Sequence, residues 1–344
     1  MKNIKVNIVS IDRQDAIGIV DKNILKNFKR KNLDYNNIKL QNLSGNILSK
    51  LFIILFNFIR LIKLKNENSI INFTSSKNIF CHINILIKYR KSILTVHHVK
   101  NKLNFHIFGL NYKRLYKSFD RIITISQKTK EDLKAIYRIP DNKIDVIYNG
   151  CDLNIFRKIK SKLPIDYDYI LHIGRENKRK NIQNILKAFK IIKYNFPHLK
   201  LLKIGEDKNN RSQTIKIIKK LGLTDDVIFK GFIKTKSLPK YYSNARLLIF
   251  PSIKEGFGLP IIEAMACGCP VVTSNIAPMT ELVGRTQYLV NPYDEKNIAY
   301  GVIEVLSNKR LRNRMIENGI RRAQGFSWES SVNKIIGSYK NLWS

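Results

Sequence analysis

The stretch that most constrains how this chain folds is LLIFPSIKEGFGLPIIEAMACGCPVVTSNIAPMTELVG, residues 247–284 of 344. It opens on an apolar run, Leu247, Leu248, Ile249 and Phe250, which Pro251 stops. A short apolar run closed by a breaker reads as a strand buried in a parallel sheet. Two glycines, Gly256 and Gly258, then form a loop, and Pro260 stands where the first turn of a helix accepts proline. That helix carries Glu263, Ala264, Met265 and Ala266, and it ends before Gly268. A second apolar strand covers residues 270–273. The unit is strand, glycine loop, helix, strand, a crossover of an α/β fold. The helix N-terminus opens beside the glycine loop, and its unpaired N–H groups and dipole offer a place for a phosphate.

Two carboxylates bracket that place, Glu255 in the loop and Glu263 on the helix, with seven residues between them. Like charges repel, so neither is a phosphate ligand. Carboxylates are instead good acceptors for sugar hydroxyls. A ligand with phosphates in the middle and a sugar at each end, a nucleotide sugar, suits the pair; an ordinary crossover with two solvated glutamates also has this spacing. The whole string EGFGLPIIEAMACGCPVV resembles the E-x7-E signature of the retaining glycosyltransferases of family four, which have the GT-B fold. The resemblance implies an α/β protein of two Rossmann-like domains facing across a cleft, with a last helix crossing back to the first domain.

Composition agrees with two domains. A chain of 344 residues is long enough for two cores, and 44% hydrophobic residues can fill them. No stretch reaches the ~18 to 20 uninterrupted apolar residues of a membrane span, and MKNIKVNIVSI at the start reads as a strand rather than a leader. Cys81, Cys151, Cys267 and Cys269 form no metal-type pattern and read as reduced core thiols of a cytosolic protein.

The net charge is +36. Residues 1–150 hold 28 basic and 10 acidic side chains and the remainder 34 and 16, so each part carries +18. Charge alone suggests a basic nucleic-acid-binding protein. No RNP, KH, zinc-finger or helix-turn-helix signature accompanies it, and its even division argues against a dedicated groove, so no specific nucleic acid is expected. Between Tyr35 and Phe119 the only acidic residue is Glu67, against fourteen Lys and Arg. A field of that sign attracts anionic lipid, or reflects the lysine-rich composition throughout.

Taken in order, strands are predicted over residues 5–11 and 38–43, with a helix near 19–30 between them and a turn at Ser44, Gly45 and Asn46. Residues 47–65, ILSKLFIILFNFIRLIKLK, form the most apolar helix candidate, with Lys50, Asn57, Arg60 and Lys63 along one face. That face fits a crossover helix in water or a helix lying in a membrane interface. Strands over 69–73 and 92–97 follow, the second ending in TVHH. A strand-end histidine lies where ligands of open α/β sheets bind, or is hydrogen-bonded within its loop. A strand over 121–126, a helix over 127–137 and a strand over 143–147 complete the first domain. YNGCDLNIF, residues 148–156, resembles the link between the family's two domains. The boundaries expected are 1–150, 151–325 and 326–344, the last being the returning helix.

The second domain begins with YILHI and the turn GRENKRKN. A guanidinium grips two phosphate oxygens at once and an ammonium adds a point charge, although a basic turn is common in a lysine-rich chain. By resemblance, Arg175 and Lys180 hold the donor's diphosphate in a solvent-lined cleft. Glu263 binds the ribose, Glu255 the transferred sugar, and Gly256, Phe257, Gly258 and Leu259 bring backbone N–H groups near it. His97 contacts that sugar from the first domain, and Gly231 and Phe232 lie near the base. The resemblance further implies a metal-independent hexosyltransferase with no cofactor beyond its nucleotide-sugar donor, either UDP- or GDP-linked. Its acceptor would be a glycan or lipid-linked glycan of surface polysaccharide synthesis, handled in the cytoplasm, peripherally on the inner face of the membrane. The first loop, IDRQDAIG, has only Gly18 where the family's is glycine-rich, which leaves a non-catalytic homologue as the alternative.

Overall fold

The computed structural model describes residues 4–11, 16–40, 69–75, 91–99, 112–206 and 211–344. The predicted helix at 47–65, the turn at 44–46, residues 12–15 of the first loop and Cys81 lie outside them. The chain divides into two compact units, one made of Met1–Gly150 with Trp328–Ser344 and the other of Cys151–Ser327.

The first unit holds strands β1 (Val6–Ile11), β2 (Tyr35–Leu40), β3 (Ile70–Phe73), β4 (Ser92–Val96), β5 (Arg121–Thr124) and β6 (Ile144–Val146). They form one parallel sheet in the order β2-β1-β3-β4-β5-β6. The central strands β3 and β4 are buried along their whole length, as strands covered on both faces are, and apolar residues dominate them. Helices α1 (Ala16–Arg30), α2 (Tyr112–Ser118) and α3 (Gln127–Tyr137) belong here. Ser126 caps α3 by accepting from the Thr129 amide, and Arg138 ends it in a left-handed conformation. Strand β2 starts three residues before the predicted one, because Val6 of β1 pairs with Tyr35. It is an edge strand whose Asn36 and Asn37 are exposed, so its apolar signal is weak.

The second unit holds β7 (Tyr169–Ile173), β8 (Lys200–Ile204), β9 (Val227–Phe229), β10 (Leu248–Phe250), β11 (Val271–Ser274) and β12 (Tyr288–Val290). This sheet is also parallel, in the order β12-β11-β10-β7-β8-β9, the doubly wound arrangement of dinucleotide-binding folds. Its helices are α4 (Ile182–Asn195), α5 (Arg211–Lys220), α6 (Leu238–Asn244), α7 (Leu259–Ala266), α8 (Met279–Val283), α9 (Glu295–Ser307) and α10 (Lys309–Gln324). Ile170, Leu201, Ile249 and Val272 on one sheet face meet Ile185, Phe189 and Val302 from α4 and α9 in a buried core. Cys151, Cys267 and Cys269 are buried free thiols.

The last helix, α11 (Trp328–Trp343), returns to the first unit. Its Tyr339 ring packs on Phe28 of α1, and its Tyr339 hydroxyl accepts a 2.7 Å bond from Asn72 of β3. Ser338 donates to Asp145 of β6, and Trp328 is a buried anchor. Both units are Rossmann-like. Among the described residues no helix is long and apolar enough to cross a membrane.

Two glycines close the carboxyl ends of β8 and β9. Gly205 has φ +134° and Gly231 has φ +59°, and the Gly205 amide donates to the Gly231 carbonyl at 2.7 Å. A Cβ on Gly205 would lie 2.4 Å from the Gly174 carbonyl oxygen, whereas one on Gly231 would meet nothing within 4 Å. Gly205→Ala is therefore expected to cost at least about 2 kcal/mol through clash and backbone strain together. Gly231→Ala should cost only the backbone term, about 1 kcal/mol. Urea unfolding midpoints of the two variants check this, and equal losses would contradict it.

Candidate active site

In the second unit the chain leaves β7 toward β8 and β9, but leaves β10 toward β11 and β12. Since β7 and β10 are neighbours, the loops after them diverge from one crevice at the carboxyl edge, where open α/β sheets bind ligands. The loop after β7 is GRENKRKN and the loop after β10 is PSIKEGFG. The two motifs are thus placed side by side by strand order.

Specific bonds fix them there. The Ile253 amide donates to the Arg179 carbonyl at 2.8 Å. Asn177 caps a short turn over Lys178–Lys180 by accepting from the Lys180 amide, and Asn181 follows in the left-handed region. The Asn181 side-chain amide is buried and donates to the carbonyls of Pro251, at 3.0 Å, and Pro292, at 2.6 Å. One asparagine therefore joins the ends of β7, β10 and β12.

Between the loops, Lys180 Nζ lies 2.8 Å from Glu255 Oε1, with side-chain exposures of 10% and 8%. Its ammonium also sits 4.3 Å from the centre of the Phe250 ring. Burial pushes the Lys180 ammonium down, against the opposing pull of the Glu255 carboxylate. This corrects the expectation that Lys180 lines open solvent. The turn of Lys178–Lys180 folds it inward, and its charge is compensated by Glu255 rather than by water. Arg179, more exposed, approaches the second Glu255 oxygen at 3.8 Å. Arg175 is exposed and makes no ion pair among the described residues.

Gly258 has φ +117° and serves as N-cap of α7, with Pro260 in the first turn. A Cβ there would lie 3.1 Å from Leu282 and 3.2 Å from Ile261. Gly258 and Leu259 donate no amide bond to a described residue, so the helix start keeps its donors beside Glu255. The Phe257 ring turns the other way and packs edge-on against Phe326. Glu263, one turn into α7, accepts a 2.7 Å bond from the buried Tyr242 hydroxyl of α6. Burial pushes its carboxyl up to about 7, and the Tyr242 bond opposes the rise. Phe232 is largely exposed beyond Gly231. His97 lies in the other unit at the carboxyl end of β4, buried, with Nε2 2.8 Å from the Thr74 carbonyl.

A profile described as Glycosyl transferases group 1 matches residues 154–322, and one described as Glycosyltransferase Family 4 matches residues 37–155. The chain belongs to glycosyltransferase family four. It is 30% identical over 249 residues to an uncharacterized glycosyltransferase of Methanocaldococcus jannaschii, a match taking in 68% of this chain and 63% of that protein. It is 28% identical over 242 residues to O-antigen chain mannosyltransferase B of Escherichia coli, covering 67% and 64%. The matched part is thus under two thirds of either relative. Among solved structures, sucrose-phosphate synthase from Thermosynechococcus elongatus superposes with TM-score 0.80 at 20% identity over 99% of both chains. HepE of Anabaena, solved in complex with UDP and glucose, superposes with TM-score 0.78 at 18% identity over 97% and 99%. At such identity these likenesses show the fold alone, and it is GT-B.

Several residues of this candidate site were not singled out from the sequence. Tyr242 and Asn181 are ordinary by spacing, and the bonds they make appear only in three dimensions. Glu176 and Lys203 form a buried ion pair at 2.9 Å beneath the β7 loop. Here a signal existed, since Lys203 stands between Leu202 and Ile204 within the strand KLLKI. His172 on β7 faces Ile249, its Nδ1 3.1 Å from that carbonyl, and burial pushes it down to about 3, so it is neutral.

Glu263 carries a pH test. Its folded carboxyl titrates near 7 and its unfolded one near 4.5. Below pH 4.5 both states are protonated and nothing is lost. As pH rises to 7 the unfolded chain releases its proton first, so stability falls across that window by about 2 to 3 kcal/mol. Glu263→Gln removes the titration and should gain stability over the parent progressively between those two values. Chemical unfolding at a series of pH values checks it; a constant difference would contradict it.

Proposed function

We propose that this chain transfers a hexose, with retention of anomeric configuration, from a UDP- or GDP-linked donor. The acceptor is a glycan or lipid-linked glycan of surface polysaccharide synthesis. The observation that supports this best is the meeting of Lys180 and Glu255 at 2.8 Å where the β7 and β10 loops diverge. One loop supplies cations for a diphosphate and the other a carboxylate for sugar hydroxyls, within one side chain's reach. The E. coli relative named O-antigen chain mannosyltransferase B supports the acceptor class, and the fold likeness to HepE with UDP and glucose supports the donor class.

In this reading residues 1–150 form the acceptor side, 151–325 the donor-binding domain and 326–344 the returning helix. The donor's diphosphate lies against Arg175 and becomes the new partner of Lys180. Glu255, released from that pair, accepts hydroxyl bonds from the hexose. Glu263 accepts from the ribose, and Gly231 and Phe232 flank the base. The amides of Gly256, Phe257, Gly258 and Leu259 face the sugar and the departing phosphate, and His97 contacts the sugar from the first domain. The acceptor oxygen attacks C1 on the face the leaving group departs from, the C1–O bond to phosphate breaks, and a phosphate oxygen takes the acceptor's proton. Arg175, Lys180 and the α7 N-terminus meet the charge developing on the diphosphate without a metal. The local excess of +13 between Tyr35 and Phe119, fourteen cations against Glu67, supports a peripheral place on an anionic cytoplasmic leaflet.

The test is a panel of UDP- and GDP-sugars scored for transfer or hydrolysis, with calorimetric binding of the free nucleotides. Glu263→Gln should weaken free-nucleotide binding about tenfold. Glu255→Gln should leave that binding within about twofold while turnover falls by at least about tenfold. A parent chain that binds no nucleotide, or equal effects of the two changes on nucleotide affinity, would refute the assignment.

A further inference from the structure

The face of the second unit's sheet that carries Ile170 and Leu201 changes character toward the carboxyl ends of β7 and β8. In β7 and β8 the next residues on that face, His172 and Lys203, lie opposite one another in register, and both are fully buried. Glu176 reaches down to this layer from the β7 loop. Its Oε1 accepts from Lys203 Nζ at 2.9 Å and from Arg211 Nε at 2.7 Å, and neither Glu176 nor Lys203 has any exposed side-chain surface. Arg211, the first residue of α5, also lies over the Phe229 ring of β9, its guanidinium carbon 4.1 Å from the ring centre.

Burying a carboxylate and an ammonium costs several kcal/mol per ion before their attraction is counted, and an apolar pair of similar volume serves stability as well or better. Stability alone therefore gives no reason for these charges. Their placement gives one. Glu176 directly follows Arg175, and its carboxylate is anchored to Lys203 of β8 while Arg175 stays exposed in the same turn. Arg211 bonds the same carboxylate and lies over Phe229, the last residue of β9, two positions before Gly231. One carboxylate thus ties the phosphate-facing loop to the base-facing end of the sheet. Two cations on one anion also leave a surplus positive charge beneath the place where a diphosphate would lie.

We propose that Glu176, Lys203 and Arg211 are positioning residues for the nucleotide donor: they hold Arg175 and the base-facing edge at a fixed separation, that of a nucleoside diphosphate. The inference rests on the donor site proposed above. It concerns the shared nucleoside diphosphate portion of UDP- and GDP-sugars, whichever hexose they carry.

The test separates positioning from simple folding. Glu176→Gln leaves the buried Lys203 ammonium without its anion, and Lys203→Met leaves Glu176 with Arg211 alone, so each is expected to lower both the melting temperature and nucleotide affinity, the first by more. The double variant carrying both changes removes the Glu176–Lys203 charge pair together. Its melting temperature should return to within a few degrees of the parent's, while UDP or GDP affinity stays reduced on the order of tenfold or more. Arg211→Gln should raise the donor KM by a similar factor and leave the acceptor KM unchanged, and Arg211→Lys should recover part of the loss. A folding defect alone would lower the active fraction, and hence kcat, without moving the donor KM. Recovery of both melting temperature and nucleotide affinity in the double variant would overturn the proposal, as would an Arg211→Gln variant with the parent's donor KM. If the parent itself binds neither nucleotide, the donor-site reading falls and this inference falls with it; binding by the parent with no change in the variants overturns this inference alone.

Discussion

The pairing of Lys180 with Glu255 is the interaction on which the arrangement of the second unit's site depends. Each partner is nearly buried, and each would be costly to bury alone. Lys180 belongs to the loop after β7 and Glu255 to the loop after β10, so the pair exists only because the sheet places those strands together. Asn181 reinforces the same junction with two side-chain bonds to carbonyls beyond β10 and β12. Charge compensation and backbone hydrogen bonding thus hold the crevice in one shape before any ligand enters. A diphosphate and a sugar can each take one half of the pair, and neither half is then left without a partner.

Around that junction the carboxylates differ because their surroundings differ. Glu255 is held beside cations, whereas Glu263 is set into α7 among apolar neighbours, where burial moves its carboxyl toward neutral pH and the Tyr242 hydroxyl is its bonded neighbour. Glu176 lies a layer deeper, between Lys203 and Arg211. Three glutamates of one domain therefore have three electrostatic settings. The His172 imidazole, kept neutral by burial, adds no charge to this layer.

Much of this was legible in the sequence where chemistry and turn residues are written close together. GRENKRKN and EGFGLPIIE each carry their charged groups, glycines and helix start within one short string, so the strand, loop and helix around them could be placed nearly to the residue. Helix α3 has the bounds expected of it, 127–137, and Ser126, read as the end of the strand before it, is its N-cap. Other parts were not legible for identifiable reasons. The elements β12 and α8 have three and five residues, too few to show a period. Strand β2 is polar and lies at an edge. Tyr242 is 21 positions from Glu263, and only the packing of α6 on α7 brings its hydroxyl there. Lys203 was visible as a charge between Leu202 and Ile204, but in a chain with 62 Lys and Arg one more lysine attracts no notice. The burial of Lys180 followed from the turn geometry at Asn177 and Asn181, which spacing alone does not define.

The central claim is that a nucleoside diphosphate occupies the crevice where the β7 and β10 loops diverge. Amide hydrogen exchange of the parent protein, with and without saturating UDP or GDP, tests it most directly. The account predicts added protection at residues 174–181 and 256–263, the two loops and the first turn of α7, with smaller changes near Gly231. Protection confined to the first unit, or none in these two segments while the nucleotide is bound, would contradict it.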